Sequence, residues 1–222
     1  MKALIWSFTE RLFPRVASAA IMLALAFFVD PAVVGVYTLA ILALTLYQSA
    51  TDNAIRQIAV LAITTKAGKE FVRRYQFYSA TLGMAFFGGF LFLLYTFAET
   101  QSREQVHFLT PLMAVPLITA WRVNAVALLQ TTSQWRALAS AQFISSASSF
   151  AISVPVLIST RSILACALQL AVTELVFSVS TRRLAARTKT PQVVDSEESP
   201  RREFAHLSLY SILGWFLSLI HI

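Results

Sequence analysis

Arg122 and Glu174 stand inside long apolar runs, PLITAWRVNAVALL and QLAVTELVFSV, where an ionised side chain needs a reason. On membrane-insertion scales a central arginine costs about 2.5–3.5 kcal/mol, so it must be compensated or put to use. A guanidinium donates in a planar fork that suits phosphate oxygens and acidic sugars, and a carboxylate at membrane depth can carry a proton or a cation. Each residue also has a structural reading. Arg122 can snorkel to the headgroups or pair with Glu174, and Glu174 can serve as that partner or stay protonated in an apolar setting. Arg15 repeats the choice closer to a span end, where snorkelling is favoured. Arg56 follows Asp52 by four residues, the helical spacing at which two charges neutralise each other. Arg56 is also a candidate for an anion site, and Asp52 is a second candidate for ion coupling.

Polar side chains recur near helical spacing at Tyr37, Thr45, Gln48 and Asp52, and again at Cys166, Gln169 and Thr173. Such stripes can line a sugar pathway, with Tyr37 and Gln48 as substrate contacts, or they can hydrogen-bond helix to helix. Trp6, Trp121, Trp135 and Trp215 read as packing or interface anchors more readily than as sugar-stacking platforms. No enzyme constellation accompanies them. HExxH, GxSxG and phosphate-loop patterns are missing, and His107, His206 and His221 are scattered. The sequence therefore calls for no cofactor, and any transport by this chain would run on an ion or substrate gradient. Cys166, the single cysteine, can form no intrachain disulfide and reads as a small packing residue.

The elements that must position these residues are membrane helices. Hydrophobic residues make up 57% of the 222 residues and charged residues 13%, against about 25% charged in soluble domains. The apolar runs are too long and too little alternating for barrel strands, so the expected fold is an all-α integral membrane protein. Residues 12–57 read as a hairpin of two helices whose first member stops before Pro31, which lacks a backbone N–H and biases Asp30 away from helix. Residues 1–11 read as an interfacial amphipathic helix. A cleavable leader is the rival, with Ala17–Ser18–Ala19 as its processing site, but Glu10, Arg11 and Arg15 interrupt its apolar core.

Beyond the hairpin, residues 58–70 read as an amphipathic helix closed by Gly68. Four more spans follow at about 75–98, 108–130, 137–158 and 162–181. Gly83, Gly88 and Gly89 would allow close backbone approach in the first of these, and a serine-rich face would allow cross-helix bonding in the third. The expected organisation is a six-span lobe over 12–181, a charged linker over 182–203, and the start of a second lobe over 204–222.

Basic residues fix an orientation. Placing the N-terminus in the cytoplasm puts fifteen Lys and Arg inside and only Arg103 and Arg161 outside, with Arg122 at depth. The net charge of +7 is thus accounted for by topology, and nucleic acid is not an expected partner.

The hairpin resembles that of the oligosaccharide flippases in the multidrug/oligosaccharidyl-lipid/polysaccharide exporter superfamily. Gly35-Val36-Tyr37 opens its second helix and Ala54-Ile55-Arg56-Gln57 closes it, as in that family. Gln48 and Ala50 stand where the family usually has an acid and a glycine. The resemblance implies an N-terminal lobe of a two-lobe transporter in a bacterial inner membrane, with a central cavity exposed alternately to each side. Its substrate would be an undecaprenyl-pyrophosphate-linked oligosaccharide, and its partners membrane lipids and a polysaccharide polymerase or glycosyltransferases. The rivals are a multidrug or cation antiporter of the same superfamily, a scaffold subunit for glycosyltransferases, and an inactive truncated lobe. An integral-membrane transferase is disfavoured because no long loop carries paired acids.

Overall fold

The computed structural model describes residues 2–62, 65–97 and 100–188. Every element among them is helical: α1 (Lys2–Ala26), α2 (Pro31–Ala50), α3 (Asp52–Ala62), α4 (Lys66–Phe97), α5 (Thr100–Val106), a 3-10 segment (His107–Ala114), α6 (Val115–Thr131), α7 (Trp135–Thr160) and α8 (Leu164–Ala186). Five segments are long and apolar enough to cross a membrane: Pro31–Gln48, Gly68–Phe97, Arg103–Thr131, Trp135–Thr160 and Leu164–Ala186. The apolar part of α1, Leu12–Ala26, is shorter. Large apolar side chains face outward along the bundle, Phe27, Phe77 and Phe92 among them, while Ser145, Ser149, Ser153 and Thr173 are buried. That is the pattern of a bundle whose solvent is hydrocarbon, where small polar residues pack helix against helix. The chain is a multi-pass membrane protein.

Local chemistry sets the helix ends. Asp30 caps α2, its carboxylate accepting the Ala32 N–H at 2.8 Å, and Pro31 follows as the first helical residue, where its missing donor costs nothing. Helix α2 closes at Thr51, so the amphipathic residues beyond form a separate helix, α3, burying Ile55, Ile58 and Ala59. Residues 66–70 begin a helix instead of ending one. The Thr65 hydroxyl accepts the Gly68 N–H at 3.0 Å, and α4 then runs for 32 residues. Pro111 sits within the 3-10 segment and Pro116 in the first turn of α6, so the expected fourth span is a proline-broken path that becomes α-helical only from Val115.

At the ends of the chain, α1 is continuous across residue 11 and through Pro14. Residues 182–186 continue α8 and Arg187 and Thr188 turn at its end, while 189–203 of the expected linker and the stretch 204–222 lie outside the described residues.

The helices meet at a few close approaches. A Cβ built on Gly83 of α4 would lie 2.6 Å from both Pro116 Cβ and the Tyr47 ring, so only glycine lets α4 lie against α2 and α6 there. The Tyr47 hydroxyl reaches across to Ser79, bonding its carbonyl and lying 2.9 Å from its Oγ. A Cβ on Gly88 would come within 3.1 Å of Met113, whereas one on Gly89 would meet nothing within 4 Å. Cys166 is fully buried in the core that α1, α2, α7 and α8 share.

Two non-glycine residues, Ser133 (φ 55°) and Arg161 (φ 47°), take the left-handed conformation that closes α6 and α7. Ser133 lets the Gln134 N–H reach the Leu129 carbonyl at 2.8 Å, the signature of a left-handed helix stop. A Cβ in that region costs about 1–2 kcal/mol, partly offset by the greater unfolded-state freedom of glycine. Arg161→Gly is therefore expected to stabilise the protein by about 0.5–1 kcal/mol, read as a higher thermal midpoint in detergent. A lower midpoint would show that the Arg161 side chain contributes more than its backbone strain costs.

Candidate functional site

The sequence-selected residues fall into separate places. Arg122 on α6 and Glu174 on α8 form an ion pair between their helices, with side chains 19% and 15% exposed. The Arg122 guanidinium also lies over the Phe177 ring, 4.9 Å from its centroid. This is the pairing that neutralises both charges at depth, and the aromatic face adds a second contact to the cation.

Tyr37 and Gln48 share a different place. They line a cleft of about 320 Å³ between α1 and α2, floored by Leu170 of α8, together with Ser18, Thr38 and Thr45. Thr38 and Thr45 bond back to carbonyls of their own helix, at 2.9 Å from Val34 and Ile41. The Tyr37 hydroxyl and the Gln48 amide make no hydrogen bond among the described residues, so both have capacity to spare within a largely apolar wall.

Behind the cleft a buried polar chain crosses three helices. Ser18 Oγ donates to the Gln169 amide oxygen at 3.4 Å, Gln169 Nε2 lies 3.4 Å from Thr173 Oγ1, and Thr173 donates to Ser149 Oγ at 2.7 Å. The Cys166–Gln169–Thr173 stripe is thus turned into the bundle, where two of its three members hydrogen-bond helix to helix. The serines of α7 mostly bond back to their own helix, Ser145 to Gln142 at 2.8 Å and Ser149 to Ser146 at 2.9 Å.

The remaining candidates lie apart from this cleft. Arg56 on α3 places Nε 3.4 Å from the Gln130 amide at the end of α6, and it makes contacts besides this one. Asp52 opens α3, and its side chain lies outside the described residues. Arg15 is exposed on α1, with no hydrogen bond or ion pair among the described residues. Of the tryptophans, Trp6 lies under Arg136 at 5.8 Å and Trp121 under Arg182 at 3.9 Å, while Trp135 packs on the core of α6, α7 and α8. Trp215 lies outside the described residues.

One constellation was not singled out from the sequence. Lys69, Arg73 and Gln76 of α4, Trp121 and Asn124 of α6, and Arg182 of α8 line a groove of about 640 Å³. Its residues span more than a hundred positions of the chain, so only the packing of α4 and α8 against α6 brings them together. The single local signal is the Lys-x-x-x-Arg-x-x-Gln spacing from Lys69 to Gln76, which places all three on one helical face. Among the described residues, no group of three or more His, Cys, Asp and Glu could hold a metal ion.

Comparison of the chain with protein-family models, with curated proteins and with solved structures finds no match.

Proposed function

We propose that this chain supplies the N-terminal lobe of a transporter that moves a lipid-linked oligosaccharide, carried on undecaprenyl pyrophosphate, across a bacterial inner membrane. In this reading α1 is the first of six spans, its apolar part Leu12–Ala26 giving about 22 Å of helix, a short span met by local bilayer thinning and by snorkelling of Arg15. The N-terminus is cytoplasmic, and residues 204–222 begin the second lobe. The cleft between α1 and α2 faces the transport path.

The observation that carries this reading is the unpartnered Tyr37 hydroxyl and Gln48 amide in that cleft. Hydrogen-bonding groups left open in an apolar setting are costly, and sugar hydroxyls are the kind of ligand that satisfies them. The Arg122–Glu174 pair supports the reading less directly, by supplying ionisable groups that a transport cycle could separate.

The test is Tyr37→Phe/Gln48→Ala in the complete coding frame, expressed in its own host, the phenylalanine keeping the buried ring and removing only the hydroxyl. Surface polysaccharide is expected to fall at least about tenfold, the loss of two hydrogen bonds of ordinary strength. Lipid-linked precursor should accumulate on the cytoplasmic side while the protein stays at its normal level in the membrane. Undiminished surface polysaccharide would overturn the proposal. A changed drug sensitivity with intact polysaccharide would favour the antiporter, and co-purification with a glycosyltransferase without either phenotype would favour the scaffold.

A further inference from the structure

The groove on α4, α6 and α8 carries three cations and, among the described residues, no carboxylate on its wall. Glu70, the nearest acid in sequence, is engaged by Arg74 at 2.5 Å on the neighbouring face. Among the described residues Lys69 and Arg73 make no ion pair and Arg182 is occupied only by the Trp121 ring. The polar floor is preorganised. Gln76 Nε2 donates to the Ala120 carbonyl at 2.8 Å, and its oxygen accepts from Asn124 Nδ2 at 3.2 Å. Three uncompensated cations around a fixed polar floor attract an anion.

The surroundings say what kind of anion. The helical stripes that carry the groove residues continue into exposed apolar side chains at helical spacing: Phe77 after Arg73, Leu117 before Trp121, and Leu175 before Arg182. An anion held among the cations can therefore have hydrocarbon attached, lying along Phe77, Leu117 and Leu175. A free phosphate would leave that apolar wall unused. Ala125, Ala185 and Ala186 are small and leave room for a headgroup between the helices.

We propose that this groove binds the phosphodiester headgroup of an anionic phospholipid, with Lys69, Arg73 and Arg182 around the phosphate and the acyl chains on the apolar stripe. The site is separate from the cleft of Tyr37 and Gln48 and does not depend on what the chain transports. A basic pocket between membrane helices is a recurrent setting for acidic headgroups, and each basic residue near an anionic surface is worth about fivefold in affinity.

The full chain in detergent, mixed with phosphatidylglycerol or phosphatidylcholine and weighed by native mass spectrometry, tests this. The protein is expected to retain phosphatidylglycerol about tenfold or more over phosphatidylcholine. Arg73→Gln/Arg182→Gln should remove most of that preference, whereas Arg74→Gln, on the neighbouring face, should keep it. Thermal unfolding of each variant shows whether it is folded, and the exposed single substitution Arg73→Gln carries the test if the double variant is not. Millimolar inorganic phosphate should leave the lipid in place. Equal retention of the two lipids, an equal loss in Arg74→Gln, or displacement by inorganic phosphate would each overturn the proposal, the last by showing a site for a free anion.

Discussion

Glu174→Ala is expected to destabilise the protein by about 3–5 kcal/mol, well beyond the effect of Arg122→Leu, because the two halves of the pair can tolerate loneliness to different degrees. Removing one partner of a buried ion pair leaves the other charge in a medium that solvates it poorly. An orphaned Glu174 can take up a proton and become neutral. An orphaned Arg122 cannot lose one at any accessible pH. The Phe177 ring contributes only a fraction of what the carboxylate supplies. Replacing both residues together, Arg122→Leu/Glu174→Leu, should recover most of the loss, since an apolar pair of similar volume often matches a buried ion pair.

Denaturant unfolding in detergent of the two single variants and the double variant checks this. Equal costs for the single variants would mean that water reaches the pair and solvates whichever charge remains. The double variant also separates architecture from transport. If it folds and surface polysaccharide persists, the pair is architectural; if polysaccharide is lost from a folded protein, the proposed transport needs at least one of the two charges.

Gly83→Leu should prevent assembly of the bundle, and Gly83→Ala should cost about 1–3 kcal/mol, the range for overpacking a close contact. The two obstacles to a side chain are of different kinds. Pro116 is a rigid ring that opens α6, whereas Tyr47 is held through its hydroxyl to Ser79 and stacked on Phe86 at 6.1 Å between centroids. Moving Tyr47 aside would break these attachments, so the helices must separate instead. Thermal midpoints in detergent for Gly83→Ala and for Gly89→Ala, where open space surrounds the added carbon, provide the comparison. A drop at Gly83 alone is expected; equal drops would assign the effect to something other than the contact.

The fold was legible where one residue decides the local backbone. Pro31 and Asp30 end one helix and begin another because a missing N–H and a short carboxylate act over two residues. Hydrophobic run length identified the helices for the same reason, since it needs no knowledge of neighbours. Gly68 misled because glycine more often closes a helix than opens one, and the decisive signal was Thr65, three residues before it. Ser133 and Arg161 gave no sign of their left-handed turns, because neither is the glycine or asparagine whose presence announces that conformation. Among candidate sites, the pairing of Arg122 with Glu174 could be anticipated because lone charges at depth must find each other. The basic groove could not be anticipated, because Lys69, Trp121 and Arg182 become neighbours only through tertiary structure.

The burial of Cys166 has a kinetic consequence. It is the chain's only thiol and is fully buried in the native bundle, so a maleimide can reach it only after α7 and α8 part from the core. When reclosing is fast relative to labelling, the observed reaction rate divided by that of an unhindered thiol equals the opening equilibrium constant of this region. The unaltered protein therefore carries its own reporter of local unfolding, readable in a bilayer as well as in detergent.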